Sequence, residues 1–211
     1  MSSRDNPQIS QRKRPQQARS AALVGAILEA AAQVLRDEGA TRFTTARVAE
    51  RAGVSIGSLY QFFPNKASLL FRLQAEEWRE TAALLSGLLG DAAKPPGERL
   101  RNAALAFVRT EFDEAQLREA LGDAAPLYRH APEAERARAS AGHAVRNFME
   151  EALPEASAAT RAETAALFET TLSAVGKRIS QTCRSADAAE AQARALADML
   201  CVYLADLLRR T

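Results

Sequence analysis

Apolar residues recur along this chain at the three-to-four-residue spacing of amphipathic helices, and runs of valine and isoleucine with strand-like alternation are absent. A first helix is expected over about 19–38, where Leu23, Ile27, Ala31, Val34 and Leu35 form one stripe and Gly39 supplies the stop. Thr44 is a good N-cap for a short helix over 45–52, Gly53 suits a tight turn, and Ser55 caps a second short helix over 56–62. Pro64 ends that helix. Asn65 then opens a long one over 66–89, with Phe71, Trp78, Ala82, Leu85 and Leu89 on one face. After a Lys94–Gly97 loop, a helix over 98–114 carries Leu100, Ala104, Phe107 and Val108 on one side. Gly122 and Pro126 make the next element irregular, and Pro132 opens a helix that ends near Pro154. The last two helices cover 158–183, with Ala165, Phe168, Leu172, Val175, Gly176 and Ile179 aligned, and 187–209. The fold class is therefore all-α, with about nine helices.

Composition agrees: apolar residues make up 47% and charged residues 26% of the 211, and much of the apolar share is alanine, the best helix former. No stretch of about 20 apolar residues predicts a membrane span. The polar start MSSRDNPQISQRKRP does not read as a signal peptide, and two cysteines without a disulfide framework fit a reducing cytoplasm. The net charge of +2 hides an asymmetry. Residues 1–72 hold 11 Lys and Arg against 5 Asp and Glu, and the remainder holds 17 against 21. Basic character at one end points to a polyanionic partner there, or to a solvated basic tail.

The stretch TTARVAERAGVSIGSLYQFFPNKASLL, Thr44–Leu70, carries the chemistry. Two short helices meet at Gly53-Val54-Ser55. Small Ala49 and Ala52 permit a close crossing, and Val48, Val54 and Leu59 are spaced to pack on the first helix. That is a helix-turn-helix, whose second helix enters the major groove. Its outer side would carry Ile56, Gly57, Ser58, Tyr60 and Gln61, nearly uncharged where a solvated face usually carries Glu and Lys. Ser and Tyr hydroxyls reach phosphates, Gln61 pairs with adenine, and Ile56 meets a thymine methyl. Lys66, at a helix N-terminus, is placed for a phosphate. Arg12, Lys13 and Arg14, with Arg19, lie along phosphates or enter the minor groove, unless the arm only solubilises.

The run AGVSIGSLYQFFPNKASLL, 52–70, closely resembles the DNA-binding signature of the tetracycline-repressor (TetR/AcrR) family, and chain length, N-terminal placement and helical layout resemble it too. The resemblance implies an arm (1–18), a DNA-binding domain (19–66) and a ligand-binding and dimerisation domain (67–211). It puts Thr44, Thr45 and Arg47 where the family contacts DNA from its second helix. It puts Ser55, Ile56, Gly57, Ser58 and Tyr60 on the recognition helix, and Lys66 on the phosphate-binding lysine. Two departures bear on the operator sequence: Ala46 stands where some members have a base-reading arginine, and Phe62 where many have histidine.

The final helix is apolar over a wide arc that includes Leu196, Leu200, Tyr203 and Leu204, more than one packing stripe uses. The excess implies a second copy packed on the last two helices, with Ala174 and Gly176 permitting close approach. The other reading is complete burial within one chain. Trp78, Phe107, Phe148 and Phe168 either line an effector cavity or form core. Glu111, on the apolar face over 98–114, needs either an internal arginine or a cationic or hydrogen-bonding ligand, and Tyr128 beside Pro126 is a second polar candidate. Cys183 and Cys201 read as small core hydrophobes rather than redox sensors. No Ser-His-Asp set, phosphate loop, paired catalytic carboxylates or metal-ligand spacing is present, so neither an enzyme, a cofactor nor a metal is expected. The resulting expectation is a cytoplasmic homodimeric repressor of a near-palindromic double-stranded operator, released by a small-molecule effector, with no membrane partner. Two rivals stay open. One is a DNA-binding regulator governed by a protein partner or by its abundance, and the other a helical enzyme or carrier with a relic N-terminal unit.

Overall fold

The computed structural model describes residues 9 and 18–210, with the side chains of residues 18, 19 and 138–141 excepted. Arg12, Lys13 and Arg14, and the side chain of Arg19, lie outside the described residues. Among those described there is no strand. The helices are α1 (Ala18–Arg42), α2 (Thr45–Arg51), α3 (Ile56–Phe62), α4 (Lys66–Leu89), α5 (Pro96–Asp113), α6 (Ala115–Ala124), α7 (Pro132–Ala141), α8 (His143–Ala152), α9 (Ala158–Thr182) and α10 (Ala186–Arg210). A 3-10 turn, Ala125–Leu127, follows α6. It holds Pro126, the proline expected to make this stretch irregular. No described helix is long and apolar enough to cross a membrane.

Among the described residues the α-helices number ten rather than about nine, because the helix expected from Pro132 to Pro154 is two, parted at Gly142. A Cβ at Gly142 would stand 2.9 Å from the Glu169 carboxylate oxygens and from an Arg146 nitrogen, the flexible ends of two side chains that would have to shift. Gly39 interrupts α1 with φ 71° and ψ 174°, a left-handed φ that costs a residue with a Cβ.

The chain forms two compact units. The first takes the described residues up to Trp78 together with Gln116–Arg138, and the second takes Arg79–Ala115 and the described residues from Ala139 onward. The core of the first is built from Ile27, Leu35, Phe43, Val48, Leu59, Phe63, Leu69 and Leu70, and Ile9 is buried in it. Leu117, Leu121 and Tyr128 join the same core, so α6 and the turn after it dock on the N-terminal helices. An ion pair reinforces this: a terminal nitrogen of Arg118 donates to one carboxylate oxygen of buried Glu77 at 3.0 Å, and its Nε stands 2.9 Å from the other oxygen. In the second unit α5 lies against α9 and α10, and α8 against α9. Arg99, almost wholly buried, donates to the Leu89 carbonyl (2.9 Å) and to both oxygens of Glu151 (3.1 and 2.8 Å), with its guanidinium 5.3 Å from the Phe148 ring centre. The hydrogen bond from Arg99 holds the Glu151 carboxyl below its ordinary range.

Candidate nucleic-acid interface and the C-terminal unit

Local chemistry sets the two short helices. Thr44 is extended, and its hydroxyl accepts the Arg47 N–H at 3.3 Å to start α2. Gly53 takes φ 65°, which lets Val54 N–H return to the Ala49 carbonyl at 3.0 Å. Ser55 caps α3, its hydroxyl accepting the Ser58 N–H at 3.0 Å and standing 2.8 Å from the Ser58 hydroxyl. Val48 and Leu59 are fully buried, fixing which faces of α2 and α3 turn outward. Asn65 caps α4 by accepting the Ser68 N–H at 2.8 Å.

The outward side of α3 carries Ile56, Gly57, Tyr60 and Gln61, all exposed; Ile56 and Tyr60 leave 41% and 40% of their surface open. Ser58 is half-buried. The Tyr60 hydroxyl stands 3.0 Å from Thr45 Oγ1, joining the two helices at their rim. Gly57 has no internal reason to be glycine. Its φ is not positive, and an added Cβ would meet only Ser55 Oγ at 3.8 Å. A glycine inside a helix costs about 1 kcal/mol relative to alanine, and nothing in the protein's own packing offsets that cost at Gly57.

Two basic residues of α2 are already engaged. Arg47 pairs with Glu38, and Arg51 with Asp37 at 2.9 Å. Sequence reasoning missed these partners, because the chain reversal after Gly39 that returns α2 to the end of α1 leaves no periodic signal. Lys66 donates to the Ala40 carbonyl at 2.8 Å, with its ammonium 5.7 Å from the Phe43 ring centre. Burial pulls its pKa below the ordinary lysine range. One N–H of the ammonium is spoken for, and two remain for an anion.

The structure divides the residues considered for an effector. Phe107, Phe148 and Phe168 share one tightly packed core in the second unit. Glu111 is half-buried beside it, its Cγ 3.3 Å from where a Cβ on Gly176 would stand. Tyr128 belongs to the first unit, where its hydroxyl lies 3.2 Å from the Leu121 carbonyl and 3.3 Å from Gln74 Oε1. Trp78, half-buried, is also in the first unit. Four of the six thus belong to the second unit and two, Trp78 and Tyr128, to the first. A cavity of about 500 Å³ does exist in the second unit, in a cleft between α5 and α10 that none of the six lines. Among the described residues no group of three His, Cys, Asp or Glu side chains is arranged to hold a metal ion.

The interface residues divide too. Leu196, Leu200 and Leu204 are 5, 3 and 1% exposed because they turn into the unit's own core. Gly176 likewise faces the chain's own core, where an added Cβ would stand 3.0 Å from the Phe107 ring of α5. Ala174 and Tyr203 stay exposed, as do Leu167 and Val175 on α9 and Met199, Val202 and Leu208 on α10. The surplus apolar arc is real, and its outer part is centred on Met199, Val202 and Tyr203. Cys183 and Cys201 are partly buried against the core, with the Cys201 thiol 3.3 Å from the Gly97 carbonyl.

Comparison with known proteins matches residues 27–73 to the family described as bacterial regulatory proteins, tetR family, and residues 95–207 to the tetracyclin repressor-like C-terminal domain. A TetR-family transcriptional regulator from Mesorhizobium loti is 17% identical, covering 89% of this chain and 97% of its own at a TM-score of 0.71. The fatty acid degradation regulator FadR from Bacillus halodurans is 16% identical, covering 90% and 96% at 0.66. At these identities the likeness is one of fold. The nucleoid occlusion factor SlmA of Vibrio campbellii is 52% identical over 44 residues, which is 20% of this chain and 22% of that protein. The chain thus spans about a fifth of the length of the curated relatives it matches.

Proposed function

The chain belongs to the TetR family of bacterial regulatory proteins, and from that premise we propose that it is a homodimeric repressor that leaves its operator when a small molecule binds the C-terminal unit. The observation that carries the DNA-binding half is the exposed face of α3. It offers a large aliphatic, a tyrosine and a glutamine to solvent, around a glycine that nothing inside the protein requires. Ile56 and Gln61 read base edges, while Gly57 lets the helix backbone approach. The Thr45 and Tyr60 hydroxyls, Ser55, Ser58 and Thr44 serve phosphates and caps together. Lys66 uses its two remaining N–H groups for a phosphate, and Arg47 exchanges Glu38 for one when DNA arrives. The arm residues Arg12, Lys13 and Arg14 add sequence-independent attraction.

The dimer uses the outer arc of α10 and the facing side of α9, through Met199, Val202, Tyr203 and Ala174, while Leu196, Leu200 and Leu204 brace that helix from behind. Release follows from a population shift: an effector lowers operator affinity only as far as it favours a conformer that holds DNA poorly. The test is a fluorescence-anisotropy titration on the DNA flanking the protein's own gene at 150 mM salt. Binding in the nanomolar range, weakened at least tenfold by Gln61→Ala and Ile56→Ala, supports the reading. Equal affinity for that DNA and for an unrelated duplex contradicts it.

A further inference from the structure

Phe107, Phe148 and Phe168 are buried in the core of the second unit, and none of them lines the cavity described above. Between α5 and α10 is a cavity of about 500 Å³, within the range of small-molecule sites and too small for a helix. Its floor is apolar: Val108, Ala189 and Ala193 are buried, and Leu105 and Phe112 are half-exposed toward it. The charges among its lining residues are already matched. Arg109 pairs with Asp113 at 3.6 Å, and Glu190 with Arg194 at 2.5 Å. The exception is Asn102, half-buried in the lining, whose amide enters no hydrogen bond among the described residues.

We propose that this α5–α10 cleft is a binding site for an uncharged, mainly apolar or aromatic small molecule carrying one hydrogen-bonding group, which Asn102 meets. A charged ligand would compete with exposed ion pairs at the rim, while an uncharged ring system needs only the apolar floor. Asn102, able both to donate and to accept, fixes orientation rather than charge. As an effector site the cleft rests on the regulatory reading above. It is suited to that role because Asp113, which lines it, ends α5 one residue before α6, and α6 packs into the core of the DNA-binding unit.

The probe is N-phenyl-1-naphthylamine, an uncharged fluorophore with one N–H that brightens in apolar surroundings, titrated into the full-length dimer. Saturable binding of one molecule per protomer is expected. Ala186 lines the cleft but is exposed, so Ala186→Trp fills the space without crowding the core. It should weaken binding at least tenfold with an unchanged melting temperature. Asn102→Leu should weaken it about threefold to tenfold, the loss of one hydrogen bond, and should leave naphthalene binding unchanged. Absence of saturable binding, or full binding by a folded Ala186→Trp protein, overturns the site. Operator affinity measured with and without the probe separates the two claims. A fall in affinity that Ala186→Trp abolishes supports both, whereas probe binding to the cleft with unaltered operator affinity supports the site and overturns its role as effector site.

Discussion

Replacing Val202 with aspartate separates assembly from folding. In the protomer Val202 is 70% exposed, beside exposed Met199 and Tyr203 on the same helix. Burying a whole valine side chain is worth about 1.5–3 kcal/mol, so covering what Val202 leaves open is worth about 1–2 kcal/mol. A two-fold axis counts it twice, giving about 2–4 kcal/mol. Val202→Asp removes that gain and adds a carboxylate that must stay solvated. At 1.4 kcal/mol per decade the dimer dissociation constant should rise by roughly 30-fold to 700-fold or more. The protomer itself has no reason to unfold, since the side chain touches little in its own unit. Sedimentation equilibrium across a concentration series reads the first effect, and circular dichroism of the monomer reads the second. Leu204→Asp is the counterpart: at 1% exposure it places the charge in the intrachain core and should cost the fold. A Val202→Asp protein with the wild-type dissociation constant would refute the assignment of this face to the dimer.

Other substitutions test other parts of the account. Gly57→Ala should stabilise the protein by up to about 1 kcal/mol, by helix propensity alone, yet weaken operator binding, because the new methyl stands on the face that meets DNA; thermal melts and DNA titrations should move in opposite directions. Lys66→Ala should flatten the dependence of log affinity on log salt by about 0.9 per subunit, and a slope equal to wild type would mean that Lys66 serves only Ala40 and Phe43. Phe168→Ala should destabilise by about 3–5 kcal/mol as a cavity in a packed core, and an unaltered denaturant midpoint would show that this ring is not core. Gly176→Ala should also lower the midpoint, since its Cβ would stand 3.0 Å from the Phe107 ring.

The helix-turn-helix was legible because its determinants are local. Caps at Thr44, Ser55 and Asn65, the turn glycine Gly53 and the buried Val48 and Leu59 all act within a few residues, and periodicity reports them. The partners of Arg47 and Arg51 were not legible, since a surface ion pair between helices leaves no pattern. The α10 arc was readable as too wide for one stripe, but the sequence does not say which side turns inward. Leu196, Leu200 and Leu204 differ from Met199 and Val202 only in angle about the axis, and packing on α5 and α9 decides between them. The break at Gly142 was hidden because a single glycine inside an otherwise helical pattern is compatible with a continuous helix. The six residues considered for a pocket were all aromatic or polar members of apolar faces, a property that core residues share with ligand contacts. The α5–α10 cleft is lined by four alanines and by the outer side of α5, including Phe112, which does not share the apolar stripe of Leu100, Ala104, Phe107 and Val108.

Selection of bound sequences from random double-stranded DNA by the purified full-length protein, followed by footprinting of the enriched site, tests the central claim most directly. The account predicts one enriched inverted repeat, its half-sites about one helical turn apart or a multiple of it, protected on both halves and lost with Gln61→Ala. No enrichment over the starting pool, with binding that tracks salt alone, would contradict it.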